Sequence, residues 1–354
     1  MRRCPLVDAE LEPYPSTEVG PRRLYHRGVR RMLDDLVDLV SIGVPGLAVV
    51  AVPASALAVA GGSSWWWAAA AGVVVVVIVA GACWWPRRRM SGAIAVPGAG
   101  GDHGVTLLAA NVYVGNRSPE VAARELVDAG ADIVVVSELS QVVDEALAAA
   151  YPHREVISVG GPRGHGVFSR FPLERLPEPS IPGPLLHLRV FGPFGFELLA
   201  AHLPRPTVVA GPRPGVARLA ECRETVAQLA MLASSRPDVV VAGDLNLSDR
   251  QPAYRRMVAG RLDAMRTVRA RSTFHGRGYW WLFAMRIDHL VVPAGWTVSD
   301  ARVVRVSGSD HRAVRATLWP PCDDVQSGGA ISVPSLRWVV HRPLGWRRAR
   351  APLV

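Results

Sequence analysis

Val239-Val240-Val241-Ala242-Gly243-Asp244-Leu245-Asn246 is the stretch on which the fold turns. Apolar residues, mostly β-branched, run without a break and then give way to polar ones. A short uninterrupted apolar run of this kind, closed by a glycine, reads as a strand buried on both faces. Asp244 and Asn246 stand at its C-terminal end, where α/β folds place their sites. The same pattern recurs. Leu107–Ala110 leads into Asn111, Val134–Ser137 into Glu138, and Leu198–Ala201 into His202. Asp288 lies in Arg286-Ile287-Asp288-His289, and Ser309-Asp310-His311 precedes a last apolar run, Ala313–Leu318.

Around these runs the pattern alternates between strand and helix. Further strands are expected at Val105–Ala110, Ile133–Val136, Val156–Val159, Gly166–Ser169, Leu186–Val190, Phe196–Ala201 and Ile287–Val292. Ser118-Pro119-Glu120 has the order of a helix start, with a capping serine, proline at the first position and an acid in the first turn. Gly130 is expected to end that helix, and Val216–Ser234 reads as another. Strands mixed with helices over residues 104–320 indicate one α/β domain.

The 354 residues carry a formal charge of +10, with arginine as the sole basic residue apart from histidine. The excess is spread out: 10 Arg against 8 acids in residues 1–103, 25 against 20 in 104–320, and 5 against 2 in 321–354. A dedicated nucleic-acid binder concentrates its charge in a stripe, so this distribution does not argue for one. Cys4, Cys83, Cys222 and Cys322 lie far apart without a Cys-x-x-Cys pair, which excludes zinc-ribbon and thioredoxin-like readings.

The apolar excess is concentrated before residue 87. Residues 1–34 read as a polar tail ending in an arginine cluster, too long for the start of a cleavable signal peptide. Residues 35–86 are expected to form two transmembrane helices. The first, from about Leu36 to Ala60, carries Asp38 as its one charge; the second, Trp65 to Trp85, has none over 21 residues. About 20 apolar residues cross the hydrocarbon core. Trp65–Trp67 and Trp84–Trp85 bracket the second run as interfacial belts, and arginines flank both outer ends. That pattern puts both termini on the cytoplasmic side of a cell membrane, with the bilayer as a partner. Residues 87–103 form a basic, Gly/Pro-rich linker, and residues 321–354 a basic tail without strand or helix pattern.

A lone Asn or Asp at a strand end usually caps a turn, and a lone His is usually structural. Together the set has a chemistry. Glu, Asp and Asn without Cys suit a hard ion such as Mg²⁺, with Mn²⁺ as the alternative. Histidines beside carboxylates supply acid and base. Metal with acid and base is what hydrolysis of a phosphoester needs.

The ordered series Asn111, Glu138, His202, Gly243-Asp244-Leu245-Asn246, Asp288 and Ser309-Asp310-His311 resembles the endonuclease/exonuclease/phosphatase superfamily, and His165-Gly166-Val167-Phe168-Ser169-Arg170-Phe171-Pro172 resembles one of its strands. The resemblance implies a four-layer sandwich of two packed mixed sheets with helices outside. It implies Glu138 as principal metal ligand, with Asn111 and Asp310 close to the ion. It further implies that Asp288 orients His311, which activates water or grips the phosphate, that Asp244 and Asn246 position the nucleophile and a phosphate oxygen, and that His202 stabilises or protonates the leaving oxygen. His289, on the opposite face of its strand, is expected to be structural. Arg170, and Arg277 in the basic and aromatic segment 266–281, are the cationic candidates for substrate contact. The implied substrate is a phosphoester: nucleic acid, phospholipid or inositol phosphate. The alternative from another class is a catalytically idle, membrane-tethered binding module that kept the fold.

Overall fold

The computed structural model describes residues 104–177, 179–206, 215–236, 238–267, 272–275 and 284–321, with residues 33–34, 37–38, 70 and 72–74. The N-terminal tail, most of the two hydrophobic spans, the linker and the tail beyond residue 321 lie outside the described residues. Among the described residues no helix is long and apolar enough to cross a membrane.

The elements follow in the order β1 (Val105–Asn111), α1 (Pro119–Asp128), β2 (Ile133–Ser137), α2 (Gln141–Ala150), β3 (His153–Ser158), β4 (His165–Ser169), β5 (Leu173–Arg175), β6 (Leu185–Phe191), β7 (Gly195–His202), α3 (Gly215–Ser234), β8 (Val239–Asp244), α4 (Pro252–Met257), β9 (Arg261–Asp263), β10 (Asp288–Pro293), β11 (Thr297–Arg305) and β12 (Arg312–Trp319). They make two 6-stranded sheets, ordered β11-β12-β1-β2-β4-β3 and β5-β6-β7-β8-β10-β9. Each sheet has one parallel pair at its centre, β1 with β2 and β7 with β8; every other pairing is antiparallel. The two sheets are therefore mixed, as expected.

The period-two alternation of strands separates the layers. In β1, Leu107 and Ala109 point between the sheets, joining Ile133, Val135, Leu186, Leu198, Val240, Ala242 and Leu290 in the central core. Leu108 and Ala110 point the other way, onto Ala122, Leu126, Val143 and Leu147 of α1 and α2. The second sheet repeats the arrangement, with Leu199, Val239 and Val241 covered by Val226, Leu229 and Ala233 of α3 and by Tyr254 and Met257 of α4. Strands buried on both faces read as continuous apolar runs, which is why these were legible.

Less regular elements departed from the expectations. β3 begins at His153, three residues before the expected start, because its polar residues pair with β4 at the sheet edge. β5, β9 and β11 were not anticipated. β11 alternates polar residues along an edge and slips register between Ser299 and Arg302. Helix α2 starts at Ser140, whose hydroxyl accepts from Val143 N, a capping signal that the short apolar run after it had hidden.

Candidate active site

The C-terminal ends of the two parallel pairs meet. β1 and β2 deliver Asn111 and Glu138; β7 and β8 deliver His202 and Asp244. The register places Asn111 opposite Ser137, and His202 opposite Asp244. Asn111 Nδ2 donates to Glu138 Oε1 at 3.1 Å and to Asp244 Oδ2 at 3.0 Å, so one buried amide ties the two sheets together. Its Oδ1 accepts from Tyr113 N. Asn111 thus meets the site through its NH₂ group, bridging two carboxylates.

Glycine at 243 has a steric reason. Its φ is +135°, and a Cβ there would stand 2.1 Å from Ala201 O. The close approach of β8 to β7 leaves room for hydrogen only. Glu138 and Asn246 also hold positive φ, 56° and 46°. Non-glycine residues in this region mark sites where the surroundings over-determine the backbone. Glu138 Oε2 accepts from Val114 N, and Asn246 Nδ2 donates to Leu203 O, holding the chain just after His202.

Asp288 opens β10, next to β8, directly opposite Asp244. Its Oδ2 lies 2.9 Å from His311 Nδ1. Oδ1 is buried without a hydrogen-bond partner among the described residues. His311 is fixed from three sides. Its N–H donates to Ser309 Oγ, which itself donates to Asn111 O, and Phe274 packs edge-on against the ring at 5.2 Å. Nε2 faces the cleft, 3.8 Å from Asp244 Oδ2, and His202 Nε2 approaches the same oxygen to 3.7 Å. Asp244 therefore stands between two imidazoles.

The electrostatics follow from burial and charge. Burial opposes the imidazolium form of His311, but Asp288 and then Asp244 outweigh it and push its pKa up to about 10. Burial and the facing Asp244 raise Asp288 above the usual carboxylate range, against the pull of His311. For this coupled pair, the imidazolium–carboxylate form is the state that the 2.9 Å contact favours. Asp310, half-buried next to His311, adds a further negative charge that favours the imidazolium.

An ion has suitable ligands here. Asp244, Asp288 and His311 present ligand atoms within 4.8 Å of one another. Glu138 joins Asp244 through Asn111, and Oδ1 of Asp288 is buried without a hydrogen-bond partner among the described residues. An oxygen-rich, acidic cluster with an unused acceptor fits a hard divalent cation.

A family model described as Endonuclease/Exonuclease/phosphatase family matches residues 108–311. The chain belongs to this family. Solved structures of similar fold are remote in sequence. The endonuclease/exonuclease/phosphatase from Beutenbergia cavernae DSM 12333 is 20% identical, over 61% of this chain and 72% of that one, with a TM-score of 0.48. A humanized D. rerio TDP2 with 14 mutations is 18% identical, over 60% and 98%, at 0.47. Sphingomyelinase C from Streptomyces griseocarneus is 18% identical, over 61% and 99%, at 0.44. No curated protein matches the chain.

Not every expected residue joins the endonuclease/exonuclease/phosphatase site. Arg170 does not. It follows Ser169, which pairs with Ile133 at the start of β2, while Glu138 follows the other end of that strand. The length of β4 separates them by about 13 Å. Antiparallel pairing of β4 sends its C-terminus away from the site, which corrects the substrate-contact expectation. Arg277 lies outside the described residues. Conversely, Thr273 was missed. Its Oγ1 accepts from both Ile287 N and Asp288 N, setting the backbone from which Asp288 projects. A threonine in an irregular segment carries no sequence signal of that role. Ser309 and Phe274, which shape the surroundings of His311, stood within quoted stretches without a role of their own.

Proposed function

We propose that this family member is a divalent-metal-dependent phosphoester hydrolase, a phosphodiesterase/nuclease or phosphatase, tethered to the cell membrane by residues 35–86 with its catalytic domain on the cytoplasmic side. The observation that carries the hydrolytic reading is the convergence of the Asp288–His311 pair on Asp244, with Glu138 held alongside through Asn111.

The roles follow from the geometry. His311 has Nδ1 committed to Asp288, so Nε2 addresses the substrate. Its raised pKa keeps it protonated at neutral pH, which makes it a donor to a phosphate oxygen and not the base. Asp244 Oδ2, between the two imidazoles, is placed to take the proton of an attacking water. His202, on the β7 side, is the group that stabilises or protonates the leaving oxygen. Asn246 holds the His202 segment through Leu203 O and keeps its amide oxygen for a water or phosphate ligand. The carboxylates of Glu138, Asp244 and Asp288 are the groups that would hold Mg²⁺ or Mn²⁺, with Asn111 orienting Glu138 and Asp310 the further candidate from the family resemblance. Bound there, the ion supplies neutralisation of phosphate charge and activation of water.

Hydrolysis by the full chain in detergent tests this reading. Plasmid DNA, single-stranded RNA, bis-p-nitrophenyl phosphate, sphingomyelin and inositol phosphates serve as substrates, with Mg²⁺, Mn²⁺ or EDTA. Metal-dependent turnover is expected on at least one. No turnover from a folded chain that also fails to bind Mg²⁺ would leave the idle binding module. Protease accessibility in intact cells against inverted vesicles checks the membrane side: cleavage of the domain in intact cells overturns it.

A further inference from the structure

Asp38 belongs by sequence to the first hydrophobic run, and it is the one charge there. Its side chain is 2% exposed, and its Oδ2 accepts from Arg223 Nη1 of α3 at 2.7 Å, across 185 residues of chain. Arg223 is itself only 16% exposed, although it sits on the outer helix of the catalytic domain. On its own helix the positions three and four residues away are Leu219, Ala220, Val226 and Ala227, none an acid. Local helical pairing therefore does not hold Arg223. A carboxylate in an apolar run is costly unless a cation meets it, and the cation that meets Asp38 comes from the other end of the fold. Leu33, just before the run, and Val37, within it, are 51% and 43% exposed. Among the described residues of this stretch, the charged Asp38 is the one buried against the domain.

We infer that the first hydrophobic segment is docked on the catalytic domain through the Asp38–Arg223 ion pair. The occupant of this face of α3 is the start of that segment. The consequence is geometric. A linker of the length of residues 87–103, treated as an unconstrained coil, would let a tethered domain wander by roughly 20 Å. Docking at α3 removes that freedom and holds the domain in one orientation relative to the segment. The docking does not depend on the hydrolase reading, since it needs no catalytic residue.

Proximity is tested in the full chain, in membranes and in detergent, with Cys4, Cys83, Cys222 and Cys322 replaced by serine. Serine keeps a donor for Pro204 O, which Cys222 Sγ now serves. Asp38→Cys with Arg223→Cys is treated with a bifunctional thiosulfonate spanning about 5 Å, and the chain is then cut at a protease site placed in the linker. The halves are expected to stay joined on a denaturing gel in most molecules. Asp38→Cys with Ser234→Cys, about 16 Å further along the helix, is expected to separate. Equal yields for the two pairs overturn the docking. In the otherwise unaltered chain, Asp38→Asn and Arg223→Gln are each expected to lower Tm by about 3–6 °C. The double variant falls no further than the worse single one, and Asp38→Arg with Arg223→Asp recovers most of the loss. Strictly additive shifts with no recovery overturn the ion pair as the contact that holds the segment.

Discussion

Asp288 and His289 are neighbours on β10 and face opposite ways, and each belongs to a buried polar cluster. The two clusters differ in how completely they are satisfied. Behind the strand, Asp263 Oδ2 accepts from Arg286 Nη1 at 2.6 Å and from Tyr254 Oη at 2.7 Å, with His289 Nδ1 at 3.1 Å, while Oδ1 accepts from Met265 N. His289 Nε2 donates to Leu247 O, one residue past the Asp244–Asn246 loop. Arg286 reaches Asp249 and Tyr254 as well, and only its Nε lacks a partner. Burial alone would raise the pKa of Asp263, but Arg286, His289 and Tyr254 hold it well below the usual carboxylate range. In front of the strand, Asp244, Asp288 and Glu138 converge, and one oxygen of Asp288 has no hydrogen-bond partner among the described residues. In the rear cluster both oxygens of Asp263 are met by donors. The front one has acceptors in excess, which is the condition of a site that binds a cation and a polar substrate.

That contrast is open to attack from either side, and the largest expected effect is on the front. His311→Ala should lower kcat/KM on the best phosphoester substrate by about 10³–10⁴-fold while leaving Tm within a few degrees. Retained turnover, or collapse of the fold, would erase the distinction. On the rear face the signs reverse. Arg286→Met leaves Asp263 buried without its main cation and should cost about 3–5 kcal/mol, read from urea midpoints, with no rescue by Mg²⁺.

A third buried group lies between the sheets. His165 is fully buried, its Nε2 on Ala200 O, and burial, with His202 nearby, lowers its pKa to about 4. The unfolded chain takes up its proton near 6.5 and the folded one only near 4. Stability is therefore full above about pH 6.5 and falls toward pH 4, by about 3 kcal/mol in all. His165→Gln should flatten that segment of the urea-midpoint profile; an unchanged slope would mean that another group titrates there.

Smaller effects concern the cation. Mg²⁺ at 100 times its Kd should stabilise the chain by about 2.7 kcal/mol, and Glu138→Ala should abolish the shift. An equal shift in both would remove Glu138 from the ligand set. Smallest of all, Asp288→Asn removes the repulsion from Asp244 together with the attraction to His311, and Tm should stay within a few degrees as turnover falls. Loss of stability instead would show that the front cluster, like the rear one, is built to stabilise the fold.

Much of this was legible before the fold. Strands buried on both faces write themselves as apolar runs, and polar residues at their ends stand out against them, so Asn111, Glu138, His202, Asp244, Asp288 and His311 were visible as a set. Gly243 was quoted as part of a motif, but its steric necessity, a carbonyl 2.1 Å from where a Cβ would lie, needs the neighbouring strand. Edge strands such as β11 and the support given by Thr273 left no trace, because alternating polar composition and a single hydroxyl are common in loops. Local pattern determined which residues lie at strand ends, since periodicity and burial are encoded within a few residues. Tertiary structure decided which ends meet: antiparallel pairing carried Arg170 away from the site, a 23-residue separation closed to 2.9 Å between His311 and Asp288, and one of 185 closed to 2.7 Å between Arg223 and Asp38. Contacts between residues far apart in sequence depend on strand order and direction, and no local pattern carries that information.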